Sequence, residues 1–219
     1  MDWIALRLSL QLSLLTCVLL IPPALWIARR FAWHRFRGRG LAEAVVALPL
    51  VLPPTVLGYY LLVALGGESS LGQWYQSLTG NTLVFSFEGL VLASLLFNLP
   101  FAVQPMQRAF EGVPVNLREA AWCSGLSNWE TFWRIELPLA WPGVVGAIAL
   151  VFAHTLGEFG VVLMVGGNIP GETRTTAIAI YDQVQSFDIR GAGIMSLVLL
   201  GISISAMALV FMTGGRRGQ

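Results

Sequence analysis

Long apolar runs alternate with short polar segments along the chain, and each long run holds roughly the 20 residues that a helix needs to cross a bilayer. We therefore predict an all-α polytopic membrane protein with about five transmembrane helices, built as a single domain from residue 1 to residue 219. The predicted spans are Trp3–Ile27, Leu41–Leu65, Leu83–Ala109, Leu137–Phe159 and Gly191–Met212.

The segment Val161–Phe187, between the last two spans, is interrupted by several glycines and by Pro170, which break helices. Its apolar run is too short to span a bilayer alone, so a sixth span and a re-entrant segment remain alternatives. We favour an outward cap that leads into a short helix at about Thr175–Ser186.

The composition also indicates a membrane protein. Of all residues, 56% are hydrophobic and 11% are charged, with a mean hydropathy of +0.71, whereas about a quarter of the residues in a soluble domain are charged. All 13 basic residues are arginine. The absence of lysine excludes a P-loop ATPase site and a Schiff-base lysine in this chain, so the energy for any driven work has to come from another subunit.

The distribution of arginines predicts the topology. The segment Arg29–Arg39 carries several arginines and no acidic residue, which places it in the cytoplasm by the positive-inside rule. Alternation of the spans then puts the N-terminus outside, the polar stretch Phe110–Glu136 in the cytoplasm, and the C-terminal tail with Arg216 and Arg217 inside. This arrangement predicts a multi-pass protein of a bacterial inner membrane.

The longest polar stretch, Phe110–Glu136, contains two signatures of a helix start. Asn116 with Glu119, and Ser127 with Glu130, each match a capping box, in which two residues satisfy each other's backbone amides. A simple connection between spans would need neither signature.

Gly125 lies between the two signatures and is predicted to end the first helix in a left-handed conformation. We therefore predict two short helices, at about Leu117–Ser124 and Asn128–Glu136, the second of which ends at Pro138. From the pattern alone, docking on another protein and resting on the membrane surface remain open alternatives.

The loop resembles a motif of a known family. Glu119, Ala120 and Ala121, followed by Gly125 and by Ile135–Pro138, have the residues and spacing of the EAA loop of ABC importer permeases. Further segments that together resemble the oxyanion branch of these permeases are Leu48–Pro54, Leu156–Gly160, Asn168–Thr175 and Ala179–Tyr181. In length the chain is most similar to the molybdate permeases, since sulfate permeases tend to be longer.

The resemblance implies the type I ABC importer permease fold and the partners of such a permease. These are a second copy of the chain, two cytoplasmic ATPase subunits and a periplasmic oxyanion-binding protein. It also implies import of molybdate, with tungstate or sulfate as alternatives, and neither an ATPase site nor a cofactor in this chain. The residues that it assigns to ATPase coupling are Glu119, Ala120, Ala121, Gly125, Leu137 and Pro138.

Helix-breaking and polar residues near the predicted spans are candidates for a gate or pathway. They are Pro53, Pro54, His154, Thr155, Gly157, Glu158, Gly160 and Arg174. For Gly157 and Gly160, an ordinary kink and a gate explain the residue about equally well, since Pro and Gly are frequent in membrane helices. Because an ionised group within a bilayer needs a partner or water, we predict that Glu158 either pairs with Arg174 or makes a hydrogen bond within the junction of the fourth span and the outer segment. His154 is either a basic lining residue or a packed, hydrogen-bonded one.

Other functional classes lack their signatures. The spans contain no paired nucleophile and base, and His34 and His154 do not form a metal cluster, which disfavours an intramembrane enzyme. The net charge of +1 does not favour nucleic acid as a partner. A channel or a gradient-driven transporter stays as the alternative, although neither explains the capped helices of the polar loop.

Overall fold

The apolar stretches of the sequence fold into helices, and a computed structural model describes residues 1–214. The helices, in chain order, are α1 (Trp3–Trp33), α2 (Arg39–Val51), α3 (Pro54–Leu65), α4 (Ser70–Thr79), α5 (Phe87–Glu111), α6 (Val115–Cys123), α7 (Asn128–Thr131), α8 (Leu137–Gly157), α9 (Gly160–Gly166), α10 (Thr176–Gln185) and α11 (Ile189–Gly214). A π-helical turn, Phe132–Glu136, joins α7 to α8.

Four helices within the described residues are long and apolar enough to cross a membrane, and the bent pair of α2 and α3 makes a fifth span if its halves are taken together. The four are Trp3–Trp33, Phe87–Glu111, Asn128–Gly157 and Ile189–Ala208. The predicted all-helical membrane fold is therefore confirmed. Arg216 and Arg217 of the predicted tail lie outside the described residues.

The predicted span Leu41–Leu65 is divided into two helices at Pro53 and Pro54, because the chain bends by 112° between α2 and α3. The N–H of Leu52 makes the last backbone hydrogen bond of α2. Pro53 and Pro54 follow, and neither has an N–H with which to continue the helical ladder. The next bond joins the N–H of Val56 to the carbonyl of Pro53 at 2.9 Å, so α3 starts in a new direction.

The core of the bundle lies where α1, α5 and α8 pack against one another. Its buried side chains include Leu20, Ala24, Ala28, Ala102, Met106, Phe110, Ala140 and Val144. α5 and α8 approach closely at Gly143, where a Cβ would collide with Ala109 and lie 3.0 Å from the carbonyl oxygen of Pro105. Small residues at this crossing let the two helices pack backbone to backbone.

The segment Val161–Phe187 folds as most of α9, an irregular connection and α10. α9 has 7 residues, which is too short to cross a bilayer, so the described part of the chain has no sixth span-length helix here. The predicted short helix is confirmed as α10. α9 packs against α3, where the missing side chain of Gly58 leaves room for Met164.

α11 presents an apolar surface that the rest of the described chain leaves uncovered. Leu197 is 68% exposed and Ile204 is 59% exposed on this helix. Within a membrane, such a surface contacts lipid or another subunit.

Candidate functional site

The polar loop folds as two helical segments separated by a glycine turn. α6 is followed by Gly125, whose φ of +83° lies in the left-handed region that favours glycine. The N–H of Leu126 donates to the carbonyl of Ala121 at 3.0 Å, which closes a Schellman turn. The predicted left-handed stop between the two short helices is confirmed.

The first predicted capping box does not form. α6 begins at Val115, directly after Pro114, and no side chain caps it. Because the fixed φ of Pro114 already suits the entry into a helix, Asn116 lies inside the first turn and does not cap with Glu119. The helix therefore starts two residues before the predicted start at about Leu117.

The second capping box forms as predicted. The N–H of Ser127 donates to Glu130 Oε2 at 2.9 Å, and the N–H of Glu130 donates to Ser127 Oγ at 3.2 Å. Hydrogen bonds from the backbone N–H and then the hydroxyl of Ser127 lower the pKa of the Glu130 carboxyl from its ordinary value. This reciprocal pair fixes the start of α7.

The prediction that the second loop helix ends at Pro138 is wrong, because this helix continues into α8. In the π-helical turn, the N–H of Leu137 donates to the carbonyl of Phe132, five residues earlier. This wider turn accommodates a proline whose ring would clash with a carbonyl of a regular helix. The continuous helix Asn128–Gly157 therefore connects the loop to a membrane span without a break.

A buried carboxylate connects the loop to α1. Glu136 has no solvent exposure, and its Oε2 accepts a hydrogen bond from Arg29 Nε of α1 at 2.5 Å. Its Oε1 accepts one from Arg118 Nε of α6 at 2.8 Å. Sequence reasoning missed this cluster, because Arg29 and Glu136 are 107 residues apart and only the fold brings them together.

Three of the predicted coupling residues line one apolar groove. This groove, with a volume of about 460 Å³, lies between α6 and the π-helical turn. Ala120, Ala121 and Pro138 line it. Glu119 is exposed on α6, and Leu137 is buried at the start of α8.

The two helix breaks of the membrane core meet each other. α8 ends at Gly157, and α9 starts at Gly160 beside Pro54, the first residue of α3. A Cβ at Gly160 would lie 2.8 Å from the Cβ of Pro54, so only glycine fits without a shift. A Cβ at Gly157 would meet no atom within 4 Å, so packing does not require glycine there. Pro53 lies at the bend between α2 and α3, directly before Pro54.

A cavity of about 190 Å³ lies beside these breaks. Pro54, His154 and Glu158 line it, together with the rings of Phe97 and Phe101. The His154 side chain is 34% exposed, and its ring centroid is 4.0 Å from that of Phe101. The structure thus brings three of the predicted gate or pathway residues to one aromatic cavity.

Asn98 of α5 joins His154 and Thr155 in a hydrogen-bonded set inside the bundle. Its Nδ2 donates to Thr155 Oγ1 at 2.9 Å, and its Oδ1 lies 3.1 Å from His154 Nδ1. Asn98 and Thr155 are both buried. Sequence reasoning missed Asn98, although an amide in the middle of the third apolar stretch was a usable signal.

Of the two predicted alternatives for Glu158, the pair with Arg174 does not form, and the hydrogen bond within the junction does. Glu158 Oε1 accepts a backbone N–H of α9 at 3.0 Å, and its Oε2 lies 3.8 Å from His154 Nε2. Arg174 Nε donates to Asn168 Oδ1 at 2.6 Å and lies 3.7 Å from Asp182 Oδ2. Glu158 is held at the start of α9 because unpaired N–H groups there attract a carboxylate, while Arg174 has a nearer acid on α10.

Comparison with known proteins assigns the family. The family described as "Binding-protein-dependent transport system inner membrane component" matches residues 21–215. The chain belongs to this family. It is 51% identical to the molybdenum transport system permease protein ModB of Azotobacter vinelandii over 191 residues, which cover 85% of this chain and 83% of the relative. It is 37% identical to ModB of Escherichia coli K12, with 95% and 91% covered. It is 32% identical to the probable sulfate transport system permease protein cysT of Chlorella vulgaris, with 84% and 68% covered.

Solved structures share the fold. The chain matches a bacterial ABC transporter involved in the import of the acidic polysaccharide alginate with a TM-score of 0.79 at 16% identity, covering 99% of this chain and 79% of that one. It matches an amino acid ABC transporter with a TM-score of 0.65 at 14% identity, covering 97% and 92%. The predicted type I importer permease fold is confirmed.

Family membership defines the general role of the chain. It is a multi-pass component of the inner membrane in a transport system that depends on a binding protein and an ATPase. It is a transport subunit rather than an enzyme, and the ATP-hydrolysing site belongs to another chain.

Proposed function

We propose that the chain is the permease subunit of an ATP-driven importer that carries molybdate, or a related tetrahedral oxyanion, from a periplasmic binding protein to the cytoplasm. The observation that carries this proposal is the continuous helix Asn128–Gly157, which joins the capped polar loop directly to a membrane span. A loop built in this way passes a displacement into the membrane core. The choice of molybdate is supported by the ModB relatives at 51% and 37% identity.

The assembly that we propose contains two copies of this chain, two cytoplasmic ATPase subunits and an oxyanion-binding protein. The uncovered apolar surface of α11 is consistent with a second copy and lipid as neighbours. The absence of lysine supports ATP binding on separate subunits, because a P-loop needs one.

The proposed orientation places the N-terminus outside and the polar loop and C-terminus in the cytoplasm. Arg118 and Arg134 lie in the loop, and Arg29 of α1 reaches it through Glu136. Arg108 lies in the last turn of α5, just before the loop. A bundle end rich in arginine is the cytoplasmic end by the positive-inside rule.

In this proposal, α6 is the part of the loop that seats in the ATPase. Ala120 and Ala121 leave room for close seating, the exposed Glu119 supplies a charged contact, and Gly125 sets the angle between α6 and α7. When the two ATPase subunits close on ATP, the loops of the two copies approach each other. The continuous helix then moves α8 with the loop.

We place the gate where α3 meets α9. The bend at Pro53 and Pro54 and the break between Gly157 and Gly160 leave backbone outside the regular helical ladders, so these joints change angle at low cost. His154 lines the adjoining cavity, with Nδ1 3.1 Å from Asn98 Oδ1 and Nε2 3.8 Å from Glu158 Oε2. High affinity is not required at this point, because the binding protein selects the substrate.

Three further predicted residues support the pathway in this proposal. The hydroxyl of Thr155 donates to the Val151 carbonyl at 2.7 Å and accepts from Asn98, which fixes the helix beside the cavity. Glu158 caps α9. Arg174 holds the outer segment through Asn168.

Uptake of radiolabelled molybdate in a strain that lacks this gene tests the substrate. Expression of the chain restores uptake, and unlabelled molybdate competes more strongly than sulfate at equal concentration. Tungstate, which has the same shape and charge, competes as well as molybdate. Stronger competition by sulfate would assign the sulfate alternative, and no restored uptake would contradict the proposal.

A further inference from the structure

Three charged side chains from three segments meet where the polar loop joins the membrane core. The Glu136 carboxylate is fully buried in the π-helical turn. Arg29 of α1 donates to both oxygens of this carboxylate, from Nε to Oε2 at 2.5 Å and from Nη2 to Oε1 at 3.2 Å. Arg118 of α6 donates from Nε to Oε1 at 2.8 Å. The side chains of both arginines are mostly buried, at 22% and 11% exposure. This set therefore differs from a solvated surface ion pair.

Aromatic rings hold the two arginines in place. The guanidinium carbon of Arg118 lies 3.8 Å from the ring centroid of Trp33 and 4.9 Å from that of Trp122. That of Arg29 lies 5.1 Å from the ring centroid of Phe132. Trp33 ends α1 and Trp122 belongs to α6, so the stacking joins the same segments as the ion pairs.

The buried carboxylate holds α6, the π-helical turn and α1 together. A buried carboxylate that loses a guanidinium partner is left poorly compensated, so α6, the π-helical turn and α1 resist separation. α7 and the π-helical turn continue directly into α8. A displacement of α6 is therefore passed to α8 through the chain and to α1 through Arg29.

We propose that Glu136, held between Arg29 and Arg118, is the joint that transmits movement of the loop to α1 and α8 together. All three are positioning residues, since none of them contacts the transported anion. The proposal rests on the proposed function of the loop as the element that receives motion from the ATPase.

The test compares transport with ATP hydrolysis in proteoliposomes that contain the permease, its ATPase and the binding protein. The variants are Glu136→Gln, Arg118→Gln and the double variant. We expect complex formation and ATP hydrolysis to stay within about twofold, while molybdate taken up per ATP hydrolysed falls about tenfold. We expect the double variant to have the same molybdate uptake per ATP as the more severe single variant, because the two substitutions disrupt the same set of contacts.

Two further variants keep the test decisive. Arg108→Gln removes an arginine that is 84% exposed and paired with Glu111 outside the joint, and its uptake per ATP stays that of the unmodified protein. Arg118→Lys keeps a positive charge beside Glu136, so we expect it to recover most of the molybdate uptake per ATP hydrolysed. This variant still tests the proposal if Glu136→Gln does not assemble.

Equal molybdate uptake per ATP in Arg118→Gln and Arg118→Lys would overturn the proposal. An unchanged uptake per ATP in Glu136→Gln would overturn it as well. Loss of the ATPase complex in Arg118→Gln would also overturn it, because that result assigns the arginine to docking or folding. Failure of the proposed function is a separate result, since the unmodified protein would then show no ATP-dependent uptake.

Discussion

Gly160 is the position where a single methyl group tests the contact between the two helix breaks. In Gly160→Ala the added carbon would lie 2.8 Å from the Cβ of Pro54, about 1 Å inside an ordinary carbon–carbon contact. Pro54 is a rigid ring at the start of α3, so no rotamer change relieves the clash. Over-packing of this kind costs about 1–3 kcal/mol and moves α3 away from α9.

Thermal unfolding of the purified protein in detergent, followed by tryptophan fluorescence, measures this cost. In a chain of this size each kcal/mol lowers the Tm by about 2–4 °C, so we expect Gly160→Ala to lower it by about 2–12 °C. Uptake falls as well, because the displaced backbone belongs to the proposed gate.

Gly146→Ala is the matched control for this substitution. Gly146 lies within α8, and a Cβ there meets no atom within 4 Å. Alanine in a helix interior gains about 0.5–1 kcal/mol over glycine, so the Tm of this variant stays equal or rises. If Gly160→Ala melts at the same temperature as Gly146→Ala and keeps full uptake, the close contact between α3 and α9 is refuted.

Four other substitutions test the loop and the core. Glu119→Lys and Gly125→Pro change the charge and the turn of the loop, so each reduces ATP-dependent uptake and co-purification with the ATPase; full uptake with an intact complex in both contradicts the coupling assignment. Ser127→Ala removes the cap of α7 and lowers the free energy of unfolding by about 1 kcal/mol, and an unchanged denaturation midpoint would show that the cap is dispensable. Asn98→Ala removes the hydrogen-bond partner of His154 and of a buried hydroxyl, so we expect it to lower the free energy of unfolding by about 1–3 kcal/mol. A decrease of less than about 0.5 kcal/mol would show that water replaces the amide.

Local signals were sufficient to predict the helices of the membrane core and part of the loop. A run of apolar residues long enough to cross a bilayer has few alternatives to a helix, because lipid offers no partner for free backbone groups. Gly125 and the Ser127 cap were predictable because each depends only on its neighbours in sequence. The cap expected at Asn116 failed because Pro114 started the helix earlier.

Two other features depend on contacts that spacing does not reveal. Pro49, Pro100 and Pro142 lie inside continuous helices, whereas Pro53 and Pro54 mark a 112° bend. Prolines alone therefore do not indicate which stretch bends, since packing against neighbouring helices decides it.

The partners of buried charges were also beyond local reasoning. For Glu158, a pair with Arg174 and a hydrogen bond within its own junction were equally open, and the structure has the second, to a backbone N–H of α9. Glu136 binds Arg29, which is distant in the chain. The fold determines which arginine reaches a given carboxylate, because any arginine of the chain would satisfy the charge equally well.

Transport in proteoliposomes tests most directly whether this chain is a passage driven by a separate ATPase. Purified permease is reconstituted with the binding protein and radiolabelled molybdate, with or without the ATPase subunit and ATP. We predict uptake only when ATPase and ATP are both present. Uptake by this chain without either of them would contradict the proposed function and favour a channel or a gradient-driven transporter.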